Sequence, residues 1–197
     1  LVNESDVPIT TIASDNPGIG AQVAENLSKL LDGKGKVAMV TNGITGTGGA
    51  RRDGFLDWMK ANAPGIEVVD VQDGEADQAK SADKAQGILQ ANPDLAGLAG
   101  TGQDATVAIG DMIAQLGSKA LGVGVDATPD TLAQIEDGRI AGLVTQNPYG
   151  IGYRTVEMLV DAVNGKMPAE KNIVSESVWV NKDNMNDPEV KKVLGTE

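Results

Sequence analysis

Short apolar segments alternate with helical ones along almost the whole chain, and this alternation constrains the fold more than any other feature. The predicted strands are residues 7–12, 36–41, 66–71, 95–99, 120–125, 141–145 and 177–180. The predicted helices are residues 19–31, 51–62, 78–90, 105–116, 130–136, 151–163 and 187–194. Strands that alternate with helices in this way pair in parallel, because each helix carries the chain back across the sheet. The sequence therefore predicts an α/β fold with a doubly wound parallel sheet.

The composition excludes several classes of site. The chain has neither cysteine nor histidine, which excludes thiol nucleophiles, disulfides, histidine-based triads and ordinary zinc sites. The 28 acidic residues outnumber the 16 basic ones, and the net charge of −12 weighs against a nucleic-acid surface. No apolar run reaches the ~18 residues of a membrane span. We therefore expect a protein that needs no metal or cofactor. The acidity suits a protein that meets neutral ligands, or it serves only to keep the protein soluble.

Polar side chains follow four of the predicted strands. They lie in residues 42–52, at Gln103 and Asp104, at Asp126, and at Gln146. Because the carboxyl ends of parallel strands meet at one edge of the sheet, we expect these side chains to line a common pocket. Carboxylates, amides and arginine together accept and donate the paired hydrogen bonds that neighbouring hydroxyl groups need. Taken singly, each residue could instead cap a helix or a turn, as Asp104 could.

One loop also matches a degenerate dinucleotide-binding pattern. Residues 100–105 read GTGQDA after a predicted strand, and Asp126 follows about 20 residues later. Asp104, however, lies where a pyrophosphate would approach, and its charge would repel the phosphates. Residues 43–49 do not form a P-loop, because Gly49 and Ala50 stand where lysine and serine or threonine are required. An NAD-dependent enzyme is therefore the weaker alternative.

Several short motifs occur in an order and at a spacing typical of one family. They are IASDN at residues 12–16, GKGKV at 33–37, GT at 46–47 with AR at 50–51, ANPDL at 91–95, VGVD at 123–126 with TPD at 128–130, and TQNP at 145–148. In these motifs the whole chain resembles the C-terminal two-thirds of periplasmic sugar-binding proteins of the ribose-binding type. Those proteins serve ABC importers and share their fold with the effector-binding domains of LacI-like repressors.

The resemblance implies a periplasmic-binding-protein fold of two Rossmann-like lobes, joined by three crossover strands, with the ligand in the cleft. The crossovers would lie near residues 7–12, near Gln146 and near Trp179. Residues 11–146 and 180–197 would form the C-terminal lobe, and residues 1–10 and 147–179 would be a remnant of the N-terminal lobe. The helix predicted at 151–163 carries an apolar face that needs a partner. We therefore expect roughly one further lobe, ~100 residues, ahead of Leu1.

The resemblance also implies which side chains of this lobe hold sugar hydroxyls. They are Arg51, Gln103, Asp104, Asp126 and Gln146. Three further candidates are Arg52, Asn42 and Tyr149. Arg52 is an alternative to Arg51 because the loop before them is shorter than in the ribose type. Tyr149 is considered because Ala76 stands where the family places an aromatic ring that stacks on the sugar.

The function implied is that of a monomeric solute-binding protein, not an enzyme, with no cofactor. It would bind a sugar or polyol by hinge closure and present both lobes to an ABC permease in the membrane. Its location would be the periplasm, or outside the cell with a membrane tether. The main alternative is the effector-binding domain of a LacI-like repressor, which would require a helix-turn-helix and a dimer surface.

Overall fold

The computed structural model describes residues 8–195, which form a six-stranded sheet flanked by helices and a separate two-stranded sheet. The strands are β1 (Thr11–Ser14), β2 (Gly35–Thr41), β3 (Ile66–Asp73), β4 (Gly97–Gly100), β5 (Leu121–Val125), β6 (Gly142–Gln146), β7 (Asn172–Ser175) and β8 (Ser177–Asn181). The helices are α1 (Asn16–Leu30), α2 (Gly46–Asn62), α3 (Gln78–Ala91), α4 (Gln103–Leu116), α5 (Pro129–Glu136), α6 (Pro148–Val163) and α7 (Pro188–Leu194).

The large sheet has the strand order β3-β2-β4-β5-β6-β8. Its first five strands pair in parallel, and β8 runs antiparallel to β6 at the edge. The predicted doubly wound α/β fold is therefore confirmed, although the last strand is not parallel. A strand, β7, precedes β8 with a single residue between them, whereas a helix stands directly before each of the five parallel strands.

Alternate residues of the buried strands face opposite helix layers, as the period of two requires. In β2, Val37 and Met39 belong to the cluster formed with α1 and α2, whereas Ala38 and Val40 pack with α3 and α4. A third cluster joins α5 and α7 to β6 and β8 on the second face. These clusters consist almost wholly of aliphatic side chains and methionine, which agrees with an aromatic content of only 3%.

β1, β7 and α6 lie outside the large sheet. β1 pairs in parallel with β7 to form the two-stranded sheet, and α6 contacts β1 and α7. No residue of α6 is buried, and four of its aliphatic side chains are 55–87% exposed. These are Val156, Leu159, Val160 and Val163. Within the described residues, this part of the chain therefore lacks a core of its own.

The structure corrects several predicted boundaries. The helix predicted at residues 51–62 begins five residues earlier, at Gly46, with the carbonyl of Thr45 accepting from the Gly49 N–H at 3.3 Å. Gly48 and Gly49 are needed there because a Cβ on either would collide with the carbonyl of Asn42 or of Ile44. The strand predicted at residues 7–12 is found at Thr11–Ser14, and position 7 lies outside the described residues. β7 was not predicted.

Two glycines let α1 and α2 approach very closely. A Cβ on Gly20 would collide with the carbonyl oxygen of Arg51, and a Cβ on Gly54 would collide with the carbonyl oxygen of Pro17. Because the helices lie so close, Phe55 of α2 packs against the sheet and is fully buried. The close approach also fixes the first turns of α2, where Arg51 lies, against the start of α1.

We expect Gly20→Ala to destabilise the protein by about 1–3 kcal/mol, because the methyl group must push the α2 backbone away. The matched control is Gly87→Ala in the exposed part of α3, where a Cβ meets nothing within 4 Å. That variant should be more stable by about 0.4–1 kcal/mol, because alanine has less backbone entropy to lose on folding. Urea unfolding followed by circular dichroism measures both, and equal effects of the two variants would refute the close-packing argument.

Candidate functional site

The candidate site lies where the strand order reverses, at the carboxyl ends of β2 and β4. The helices that follow these adjacent strands, α2 and α4, pack on opposite faces of the sheet and leave a crevice between them. Asn42 follows β2 and Thr101 follows β4. The backbone N–H of Asn42 donates to the Thr101 hydroxyl at 2.8 Å, which ties the two loops together.

Arg51 reaches into this crevice from α2 with its side chain 6% exposed. Its Nε donates to Asn16 Oδ1 at 3.0 Å, and its Nη1 donates to the carbonyl of Thr101 at 2.9 Å. Nη1 also lies 3.3 Å from Asp126 Oδ2, which makes an ion pair. A buried charge is tolerated only when it is paired and hydrogen-bonded, and Arg51 meets both conditions.

Asp126 directly follows β5 and adopts a backbone conformation that is unusual for its residue type. Its φ is +74°, in the left-handed region, which aspartate tolerates better than most residues. The backbone is held by Asp126 N–H donating to the Val144 carbonyl at 3.0 Å and by the Thr131 hydroxyl donating to the Asp126 carbonyl at 3.0 Å. Its carboxylate accepts from two side chains, since Gln146 Nε2 donates to Oδ1 at 2.6 Å while Arg51 approaches Oδ2.

Ser14 and Asn16 complete a closed ring of hydrogen bonds. The Ser14 hydroxyl donates to Gln146 Oε1 at 2.8 Å, and Asn16 Nδ2 donates to the Ser14 carbonyl at 3.3 Å. Together with the bonds of Arg51 and Asp126, these links form a circuit that we call the polar ring. Its members are Ser14, Asn16, Arg51, Asp126 and Gln146. The structure thus joins three predicted site residues to one another.

A second polar cluster lies next to the polar ring, at the start of α4. Asn42 Nδ2 donates to Asp104 Oδ2 at 3.1 Å, and Asn42 Oδ1 accepts from the Ala105 N–H at 3.1 Å. Gly102, the N-cap residue of α4, has no side chain that could cap the helix, so Asn42 supplies this cap from the neighbouring strand end. Gln103 is exposed, and its side chain has no partner among residues 8–195.

The structure places the remaining candidates away from the polar ring. Arg52 is half-buried, its guanidinium pairs with the exposed Asp53 at 2.7 Å, and its Nη1 lies 3.4 Å from the Ile44 carbonyl. Tyr149 lies on α6, is 59% exposed, and stacks on Tyr153 with the ring centres 6.2 Å apart. Of the two adjacent arginines, only Arg51 reaches the polar ring.

Thr106 positions Asp126 from the opposite side of the sheet. Its hydroxyl accepts from the Val125 N–H at 3.0 Å, and its one hydrogen is shared between the carbonyls of Gly102 at 2.8 Å and Val125 at 3.0 Å. The pairing of β4 with β5 has ended before this point, so the hydroxyl takes the place of a neighbouring strand. A Cβ at Gly124 would collide with Thr106, which explains the glycine within β5.

The loop that resembles a dinucleotide-binding turn is filled by the protein itself. A Cβ on Gly102 would collide with the Asn42 side chain, and a Cβ on Gly100 would collide with the backbone N of Thr106. The two glycines therefore permit close packing within the sheet edge. Asp126, at the position expected of the ribose-binding acid, is engaged by Arg51 and Gln146.

The charges at the site do not balance. Asp126 is paired with Arg51, whereas Asp104 has only the amide of Asn42 as a partner among the described side chains. Away from the site, a hydrogen bond from Lys36 holds the pKa of the exposed Asp94 carboxyl below its ordinary value. Within residues 8–195 no group of acidic side chains could hold a metal ion, and no helix is long and apolar enough to span a membrane.

Residues 3–167 match the family model described as a periplasmic binding protein domain. The D-allose-binding periplasmic protein of Escherichia coli (strain K12) is 30% identical over 155 residues, which cover 77% of this chain and 50% of the relative. The ribose import binding protein RbsB of Salmonella typhimurium is 29% identical over 182 residues, covering 84% of this chain and 60% of the relative. The matches thus span 50–60% of the length of these two relatives.

Two solved structures are similar to the fold described above. A carbohydrate transporter solute-binding protein from Agrobacterium radiobacter, in complex with D-arabinose, has a TM-score of 0.88 at 28% identity. The match covers 96% of this chain and 67% of that one. An ABC transporter solute-binding protein from Agrobacterium vitis, with bound D-fucose, has a TM-score of 0.85 at 27% identity, covering 93% of this chain and 63% of that one.

Thr106→Val should destabilise the protein by about 2–4 kcal/mol, because the buried N–H of Val125 loses its acceptor and the carbonyls of Gly102 and Val125 lose the donor that they share. Thr106→Ser is the matched control, since it keeps the hydroxyl and should cost only about 1 kcal/mol for the lost methyl group. The free energy of unfolding in urea distinguishes the two. If the valine variant were as stable as the serine variant, the hydroxyl would not hold the end of β5.

Proposed function

The chain belongs to the periplasmic binding protein domain family, and on that premise we propose that the full-length protein is a solute-binding protein of an ABC importer. It binds a sugar or a related small hydroxylated ligand in a cleft between two lobes and closes on it by hinge motion. The named relatives are binding proteins for ribose import and D-allose, which favours import over the repressor and NAD-enzyme alternatives.

The observation that carries this proposal is the supply of unused hydrogen-bonding groups around the polar ring. Arg51 Nη2 and the Gln103 amide have no partner among residues 8–195, and Asp104 Oδ1 accepts no bond there. Each carboxylate oxygen of Asp126 accepts one bond, although it has two lone pairs. Free donors thus lie beside free acceptors. A sugar hydroxyl, which both donates and accepts, matches that pairing.

We assign Arg51, Gln103, Asp104, Asp126 and Gln146 to the ligand contacts, with Asn42 holding Asp104 in place. Arg52 and Tyr149 are weaker candidates, because one pairs with Asp53 and the other stacks on Tyr153. Ala76 supplies no ring at the position where a stacking aromatic was expected. Polar contacts therefore dominate binding from this lobe.

We further propose that the lobes divide where the two sheets divide. Residues 8–14 and residues 147–176 belong to one lobe, and the six-stranded sheet with its helices forms the other. This proposal sets the crossovers at Ser14, Gln146 and Glu176, a few residues from two of the predicted positions. It rests on the separate pairing of β1 with β7 and on the exposed apolar face of α6, which the rest of the first lobe would cover.

The partner of the closed, ligand-bound protein would be an ABC permease in the membrane, which contacts both lobes at the same time. The protein would act as a monomer in the periplasm, or outside the cell with a membrane tether. Its net charge of −12 keeps it soluble and makes a nucleic-acid partner unfavourable.

We expect Asp126→Ala to weaken sugar binding by the full-length protein at least 100-fold, because Arg51 and Gln146 lose the group that orients them. Calorimetry with D-ribose, D-allose, D-arabinose and D-fucose measures the affinity, and circular dichroism checks the fold. Asp126→Asn is a second variant that tolerates the positive φ, and it should also bind weakly.

The matched control is Asp57→Ala, an exposed aspartate of α2 that should leave the affinity unchanged. Unchanged binding by both folded Asp126 variants would refute the site assignment. If the wild-type protein bound none of a broader panel of pentoses, hexoses and polyols, the sugar-binding function itself would be wrong.

A further inference from the structure

We propose that Ser14 is a positioning residue for the ligand site, and that it acts through Gln146 to connect the hinge with the ligand. The inference rests on the proposed function and deepens it. Ser14 was not among the predicted site residues. Its hydroxyl is hydrogen-bonded to Gln146, which in turn is hydrogen-bonded to Asp126.

The directions of the hydrogen bonds show what Ser14 contributes. The Ser14 hydroxyl donates to Gln146 Oε1, so that the other end of the amide, Nε2, faces Asp126 and donates to it. A reversed amide would place an oxygen against the carboxylate, which is unfavourable. Ser14 and Asp126 therefore hold the Gln146 amide at both ends in a single orientation, and its second N–H is left for a ligand.

Ser14 also supports the other side of the polar ring through its backbone. Its carbonyl accepts from Asn16 Nδ2, and this bond leaves Asn16 Oδ1 directed at Arg51 Nε. One residue thus closes the circuit with both its side chain and its main chain. Asp126 accepts from Arg51 on one side of the polar ring and from Gln146 on the other, so the ring orients its carboxylate.

The position of Ser14 in the fold gives this contact a second consequence. Ser14 ends β1 in the two-stranded sheet, whereas Gln146 ends β6 in the six-stranded sheet. Their hydrogen bond therefore spans two of the three proposed crossovers. A hinge motion that changes the angle between the sheets changes the length or direction of this hydrogen bond. A ligand that fixes Gln146 in turn favours one hinge angle, because coupling between two sites is reciprocal.

The test is a double-mutant cycle in the full-length protein, with Ser14→Ala, Gln146→Ala and the double variant. Binding of D-ribose, D-allose, D-arabinose and D-fucose is measured by calorimetry. Ser14→Ala should weaken the affinity for the sugar that the wild type binds best by roughly 5- to 30-fold, as expected for one lost hydrogen bond. In the Gln146→Ala background the same change should weaken it less than twofold, because Ser14 then has no amide to orient.

Ser14→Thr is the rescue variant, since it keeps the hydroxyl and fits the end of a strand, and its affinity should lie within threefold of the wild type. A general loss of structure would weaken the affinity in both backgrounds. A loss of affinity that needs Gln146 and that Ser14→Thr restores therefore identifies Ser14 as a positioning residue. Unchanged affinity in Ser14→Ala, or equal losses in both backgrounds, would overturn the inference. A wild-type protein that binds no sugar would overturn the proposed function, and this inference with it.

Discussion

The buried guanidinium of Arg51 needs partners for its charge and its donors, and the carboxyl edge of the sheet supplies them to Nε and Nη1. Its partners come from the start of α1, from the loop after β4 and from the end of β5. Leaving such a group unpaired in the interior costs several kcal/mol. The three segments are therefore held at fixed positions relative to one another, and a shift of any of them leaves a donor of Arg51 unsatisfied.

Two other features of the backbone keep this arrangement in place. The glycines at the contact of α1 and α2 let the helix that carries Arg51 lie directly against the helix that begins with Asn16. Asp126 holds a positive φ, a conformation that persists only where the surroundings enforce it. The enforcing contacts come from Thr131 and Val144 on its own backbone and from Thr106 on the preceding residue. Such strain at a strand end agrees with a site for binding, where fixed geometry matters more than stability.

Much of the fold could be predicted because its signals are local. Apolar runs and helix caps placed most elements, and the rule that parallel strands end at one edge brought Arg51, Asp126 and Gln146 together. Ser14 was missed because its strand was predicted to end at residue 12, two residues before the end of β1, and because β1 lies in the other sheet, to which the rule does not apply. The partnership of Asn16 with Arg51 could not be predicted, because it depends on how closely two helices pack. β7 was missed because four residues, of which only Ile173 and Val174 are apolar, give too weak a pattern.

The charge balance of the edge argues for the chemical class of the proposed ligand. Arg51 is the one cation that the described residues place in the polar ring, and it is already paired with Asp126, while Asp104 and the lone pairs left on Asp126 keep the surroundings negative. Arg52, the nearest arginine in sequence, is engaged by Asp53. A carboxylate or phosphate on the ligand would meet two aspartates without a free cation to offset them, at a cost that grows as the cleft excludes water. A neutral polyol avoids that cost, because its hydroxyls donate to the aspartates and accept from Arg51.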